Sequence, residues 1–194
     1  MSRLALALTT LVVIAAAGVF GVWLATRGDD APAATGWEGS LRPPGTRLPD
    51  FALRNQDGET VTAAALRGRP VVVTFIYSTC EDTCPGQVQS IRGALDDLGR
   101  DVPVIGVSVD PANDTPDTAR AFLLEQSMTG RMDFLLGTRE QLEPLWEAFG
   151  IAPQRDGRDH SAYTVLVDGE GRQRLGFPAS QLTPRVLAHD LARL

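Results

Sequence analysis

Residues 71–77, VVVTFIY, and 102–109, VPVIGVSV, are continuous apolar runs rich in β-branched side chains. A strand that shows one face to water alternates polar and apolar residues, so runs of this kind predict strands covered on both faces. Helical patterns surround them from Thr46 onward. Val88, Ile91, Leu95 and Leu98 recur at spacings of three and four and give one apolar helix face. A helix is predicted from about Pro116 to Gln126 and another from Arg139 to Phe149, the second opened by Thr138 and Gln141 as a capping box. A last helix follows Pro184. LPDFALRNQDGETVTAAALRGRP predicts two short strands about a turn at Asp57-Gly58. A short strand is expected near residues 133–136, and SAYTVLVD and RQRLGF predict two more around Gly169-Glu170-Gly171. Strands alternating with helices predict an α/β fold with a central sheet flanked by helices.

Three helix starts share one syntax: Thr115-Pro116, Thr183-Pro184 and Cys84-Pro85. Proline is favoured at the first helical position and pushes the residue before it out of helical geometry, so each preceding residue is expected to be the N-cap. This places Cys84 at the positive end of a helix.

Ahead of the domain, Leu4 to Ala25 carries no charged residue, and its 22 residues suffice to cross a bilayer core. The run exceeds the usual apolar stretch of a cleaved signal, so residues 1–27 are read as an uncleaved N-terminal membrane anchor, a transmembrane helix. The flanking charges, Arg3 on one side and Arg27 on the other, signal orientation weakly, and the bulk of the chain is placed outside the cytoplasm. Residues 28–45, rich in Gly, Pro and small side chains, read as a flexible tether, and residues 46–194 as the folded domain. Every basic side chain is arginine, scattered among acidic residues in a chain of net charge −6, which argues against nucleic acid as a partner.

The only two cysteines, Cys80 and Cys84, are separated by three residues. Cys84 opens the helix after VVVTFIY and Cys80 lies in the loop ahead of it, where the helix N-terminus lowers the pKa of a nearby thiol. A stabilising disulfide, a redox-active dithiol and a partial metal site are all chemically open to such a pair. As a metal site, two soft thiolates suit copper(I) or zinc. Two thiolates alone rarely complete a site, and for a third ligand the chain offers two histidines. His160 opens the strand SAYTVLVD, and if that strand neighbours VVVTFIY, His160 comes to the sheet end that carries the cysteines. His189, beside Asp190 in the last helix, reads as a solvated or partly packed residue. Asp159 fits a turn, or a carboxylate that orients His160. Asp110 and Asp114 fit turn and cap chemistry, Met128 and Met132 fit core or loop filling, and Trp146 and Phe149 fit the core.

Together, VVVTFIYSTCEDTCP, VIGVSVDPANDTPD and DHSAYTVLVDGEGR resemble the Sco/SenC family of membrane-tethered copper chaperones, over essentially Leu48 to Leu194. The resemblance implies a thioredoxin-like fold. It implies that Cys80, Cys84 and His160 bind one copper ion, as Cu(I) or Cu(II), and that the protein serves assembly of the dinuclear copper centre in subunit II of cytochrome c oxidase. In that role the chain is a metallochaperone and not an enzyme in the strict sense, and it depends on an extracytoplasmic thiol reductant. Glu81 and Thr83 stand where the family most often has proline and an aliphatic residue, and a carboxylate beside Cys80 is expected to disfavour its thiolate. The alternative reading is a thiol-disulfide oxidoreductase, with Cys80 and Cys84 as the redox pair, that keeps the cysteines of the same oxidase subunit reduced. Thioredoxin-like oxidoreductases typically carry a proline where Asp159-His160 stands. A copper or redox sensor acting through partner binding is a third class.

Overall fold

The elements follow one another as β1 (Ser40–Leu41), β2 (Ala52–Arg54), β3 (Thr60–Thr62), β4 (Val71–Ile76), α1 (Thr83–Leu98), β5 (Val104–Ser108), α2 (Pro116–Glu125), β6 (Asp133–Leu135), α3 (Arg139–Phe149), β7 (Tyr163–Val167), β8 (Gln173–Pro178) and α4 (Pro184–Leu191). The computed structural model describes residues 36–154 and 162–194. Among these no helix is long and apolar enough to cross a membrane. The apolar run read as an anchor, Leu4 to Ala25, lies outside the described residues.

Six strands form one mixed sheet in the order β1-β8-β7-β4-β5-β6, with β2 and β3 in a separate hairpin. β4 runs parallel to β5, and β5 parallel to β6. On its other edge β4 pairs antiparallel with β7, Thr74 opposite Thr164. All six residues of β4 and all five of β5 are buried, as the apolar runs predict. Successive side chains of a strand point to opposite faces, and the core divides accordingly. Val72, Ile76 and Leu166 pack with α1, α2 and α4. Val71, Val73, Phe75 and Val165 pack with α3 and the hairpin on the other side. This is the thioredoxin-like α/β arrangement that the resemblance implies.

The predicted caps of two helices are observed. Thr115 accepts from the Thr118 N–H and Thr183 from the Val186 N–H, each followed by proline at the first helical position. Thr138 and Gln141 form the expected reciprocal box. Met128, Met132, Trp146 and Phe149 are all buried, as expected of core residues.

The tether expected over residues 28–45 needs correction at its C-terminal end. Trp37–Leu194 form one compact unit, and Ser40 and Leu41 pair with Gly176 and Leu175 as an edge strand. The cause is Asp190, fully buried in α4. Its carboxylate accepts from the Glu38 N–H at 3.1 Å and the Gly39 N–H at 2.8 Å, and His189 Nδ1 lies 2.8 Å from Oδ1. Gly39 is required there, since a Cβ would lie 2.5 Å from the Phe177 ring. His189 itself is partly exposed, in keeping with its sequence reading.

Replacing Asp190 with alanine is expected to cost about 1–3 kcal/mol, the range for removing the acceptor from a buried hydrogen bond. Hydrogen exchange should accelerate most at the Glu38 and Gly39 amides. Unchanged protection at both would mean that something other than Asp190 holds this segment.

Candidate functional site

Three strand ends meet at one end of the sheet. The parallel strands β4 and β5 both end there, at Ile76 and Ser108, and antiparallel β7 begins there, at Tyr163. The C-terminal ends of parallel strands are where α/β folds place their ligands. Tyr163, the first residue of β7, therefore stands at the sheet end from which Tyr77 to Asp82 leave, and the adjacency expected of the two strands is observed. His160 and Asp159 themselves lie outside the described residues, as do residues 155–161 as a whole.

Both cysteines are buried, and no disulfide joins them. The helix does not start as its proline suggests. Its first residue is Thr83 and its N-cap is Asp82, which makes no side-chain cap. The reason is local: the Cys84 N–H donates to Cys80 Sγ at 3.2 Å. A sulfur from the preceding loop thus does what an N-cap oxygen ordinarily does, accepting from an N–H of the first turn. Pro85 falls within that first turn, where a missing N–H breaks no helical bond. The helix still directs its positive end at Cys80.

The two sulfurs are electrostatically unlike. The thiol of Cys84 donates to Cys80, and this bond, with others from the Cys84 and Asp82 backbone and the Tyr77 side chain, outweighs burial and lowers Cys80 to about 5. The same bond and burial push Cys84 far above the ordinary thiol range. Near neutral pH the pair holds one proton, on Cys84. Glu81, expected to disfavour the Cys80 thiolate, is exposed and does not govern it, because the hydrogen bonds to sulfur dominate.

Asp114 does more than its turn reading implied. Buried beside the loop, it accepts from the Ser78 N–H at 2.7 Å and the Ser78 hydroxyl at 2.6 Å, and from the Ser108 hydroxyl. It thereby ties the strand end of β5 to the loop two residues before Cys80. Burial pushes its carboxyl up, against these hydrogen bonds. An aspartate ahead of a threonine cap gives no sign in sequence of pointing into another loop. Asp110 behaves as a turn residue, its carbonyl accepting from the Asn113 and Asp114 N–H groups.

No group of three or more potential metal ligands occurs among the described residues. The donors in view are two soft sulfurs, one already a thiolate, in a buried and partly preorganised pair. Such a set can hold a soft cation given one further ligand, or exchange disulfides.

Comparison with known proteins agrees with this geometry. The SCO1/SenC family model matches residues 41–194. Protein SenC of Rhodobacter capsulatus is 35% identical over 139 residues, a match that spans 66% of this chain and 59% of that protein. The structure of Bradyrhizobium japonicum ScoI with copper bound superposes with a TM-score of 0.63 at 32% identity, covering 75% of this chain and 97% of that one. BsSco, described as a member of the Sco family of cytochrome c oxidase assembly proteins with a disulfide switch, superposes with a TM-score of 0.66 at 25% identity, over 79% and 96% of the two chains. A family match across the whole folded domain, with the cysteine pair at its sheet end, means that this chain belongs to the SCO1/SenC family.

Proposed function

We propose that this protein is a membrane-anchored copper metallochaperone that carries one copper ion between Cys80, Cys84 and His160 and serves assembly of the dinuclear copper centre in subunit II of cytochrome c oxidase. The observation that carries the reading is the reduced cysteine pair at the start of α1, one sulfur already a thiolate, beside the strand that follows His160. Copper is the cargo, and the copper-bound ScoI relative supports its identity. Thiolates suit Cu(I), and an imidazole extends the site toward Cu(II). Uptake requires both sulfurs reduced and expels the proton held on Cys84, so the protein needs an extracytoplasmic thiol reductant. Residues 1–27 anchor the chain, and the domain stands outside the cytoplasm.

A second reading is favoured by a specific observation. A thiolate with a pKa of about 5, in a family where BsSco has a disulfide switch, is equipped to exchange disulfides. In that reading the pair keeps the oxidase subunit's cysteines reduced.

Anaerobic titration of the reduced domain with Cu(I) should give one tight equivalent with thiolate-to-copper absorption. His160→Ala should weaken that binding by an order of magnitude or more while leaving disulfide exchange with a small thiol within about twofold of wild type. Weak binding indifferent to His160 would favour the reductase. The alkylation rate of Cys80 by iodoacetamide should rise through pH 5 and level off below pH 7, as expected of a thiol lowered to about 5. A rise centred near pH 8.5 would contradict the hydrogen-bonded thiolate.

A further inference from the structure

Three buried polar side chains lie together between the sheet and α1, and the fold does not require them. Thr74 and Thr164 stand opposite each other in β4 and β7, both fully buried among valine, leucine and isoleucine. Their hydroxyls are 3.0 Å apart. Gln87, 2% exposed on the buried face of α1, donates through Nε2 to Thr74 Oγ1 at 2.6 Å and to Thr164 Oγ1 at 2.9 Å. Its Oε1 is buried without a hydrogen-bond partner. An apolar triad of similar volume would serve a core at least as well, since a buried acceptor left unpaired opposes folding.

The position of the triad gives it a use. Gln87 follows Cys84 by three residues, so the two share one side of the first turns of α1. Thr74 lies six residues before Cys80, on the strand that leads into its loop. Thr164 lies on β7, four residues after His160. One hydrogen-bonded cluster therefore joins the helix that carries Cys84 to the strand that leads to Cys80 and to β7. Among the buried residues of α1, Gln87 is the one polar side chain besides Cys84.

We infer that Gln87, through Thr74 and Thr164, is a positioning residue. It fixes the Cys84 turn of α1 against β4 and β7 in the unbridged arrangement of Cys80 and Cys84, which leaves both sulfurs open to a shared cation. This rests on the metallochaperone reading for the cation. The consequence for the dithiol stands independently, because a helix free to shift brings Cys84 toward Cys80 more readily than a tethered one does. Disulfide geometry is narrow, so the tether acts on that equilibrium directly.

The test uses Gln87→Leu and the triple variant Thr74→Val/Thr164→Val/Gln87→Leu, in which no hydroxyl is left unpaired. Urea unfolding should give the triple variant a midpoint at or above wild type, which excludes general loosening. In that folded variant Cu(I) affinity should fall about tenfold, the lower end of what removing a supporting interaction behind a metal ligand does. Its dithiol-disulfide equilibrium against glutathione should move about tenfold toward the disulfide, roughly 30 mV for a two-electron couple. Either quantity remaining at its wild-type value would overturn the proposal. A wild-type domain that takes up no copper would defeat the metal reading alone, and the glutathione equilibrium would still decide the role of Gln87.

Discussion

The structure depends on β4 being paired on both edges and covered on both faces. Its six residues are all buried, with β5 parallel on one side and β7 antiparallel on the other. A strand so placed has no freedom of register, because a shift by one residue would exchange the side chains of its two core layers. Everything at the functional end inherits that rigidity. The Cys80 loop leaves directly from β4, the Asp114 loop leaves from its parallel neighbour, and the chain returns into β7 at the same end. The site is thus built where three fixed strand ends meet, and Asp114 closes it by bonding one loop to another.

Within that frame, the spacing of the cysteines acquires a physical meaning. Three intervening residues place Cys80 behind the start of α1, where its sulfur accepts the Cys84 N–H and takes over the work of a cap. The thiolate is then part of the helix terminus. Its negative charge is stabilised by the first-turn N–H groups and by the Cys84 thiol, and in return it satisfies donors that the exposed Asp82 leaves unbonded. The pair is poised without being oxidised.

How much of this was legible varies with the range of the interaction. Both-face burial writes itself as an apolar run, so VVVTFIY and VPVIGVSV announced the sheet centre, and the threonine-proline caps announced two helix starts. The third start was misjudged because its cap is a sulfur from outside the helix, a tertiary contact that a proline rule cannot register. Residues 37–45 read as tether because β1 is only two residues long and its anchor, Asp190, is 152 positions from Glu38 and 151 from Gly39. Asp114 and Gln87 were invisible as site residues for the same reason, each defined by partners on other elements. The cysteines were legible individually, whereas their unequal proton affinities follow from hydrogen bonds that exist only after folding.

That inequality bears on what distinguishes the two functional readings. A dithiol that holds one proton between two sulfurs is already half prepared for either reaction. Exchange with a disulfide consumes the Cys80 thiolate as nucleophile and then needs Cys84 deprotonated and free to approach. Holding a cation needs the same second deprotonation but the opposite mechanical property, two neighbouring sulfurs that stay unbridged. The chemistry of the pair therefore does not choose between the readings, and the stiffness of the turn that carries Cys84 does. In this protein that turn is backed by a buried glutamine bonded to both neighbouring strands.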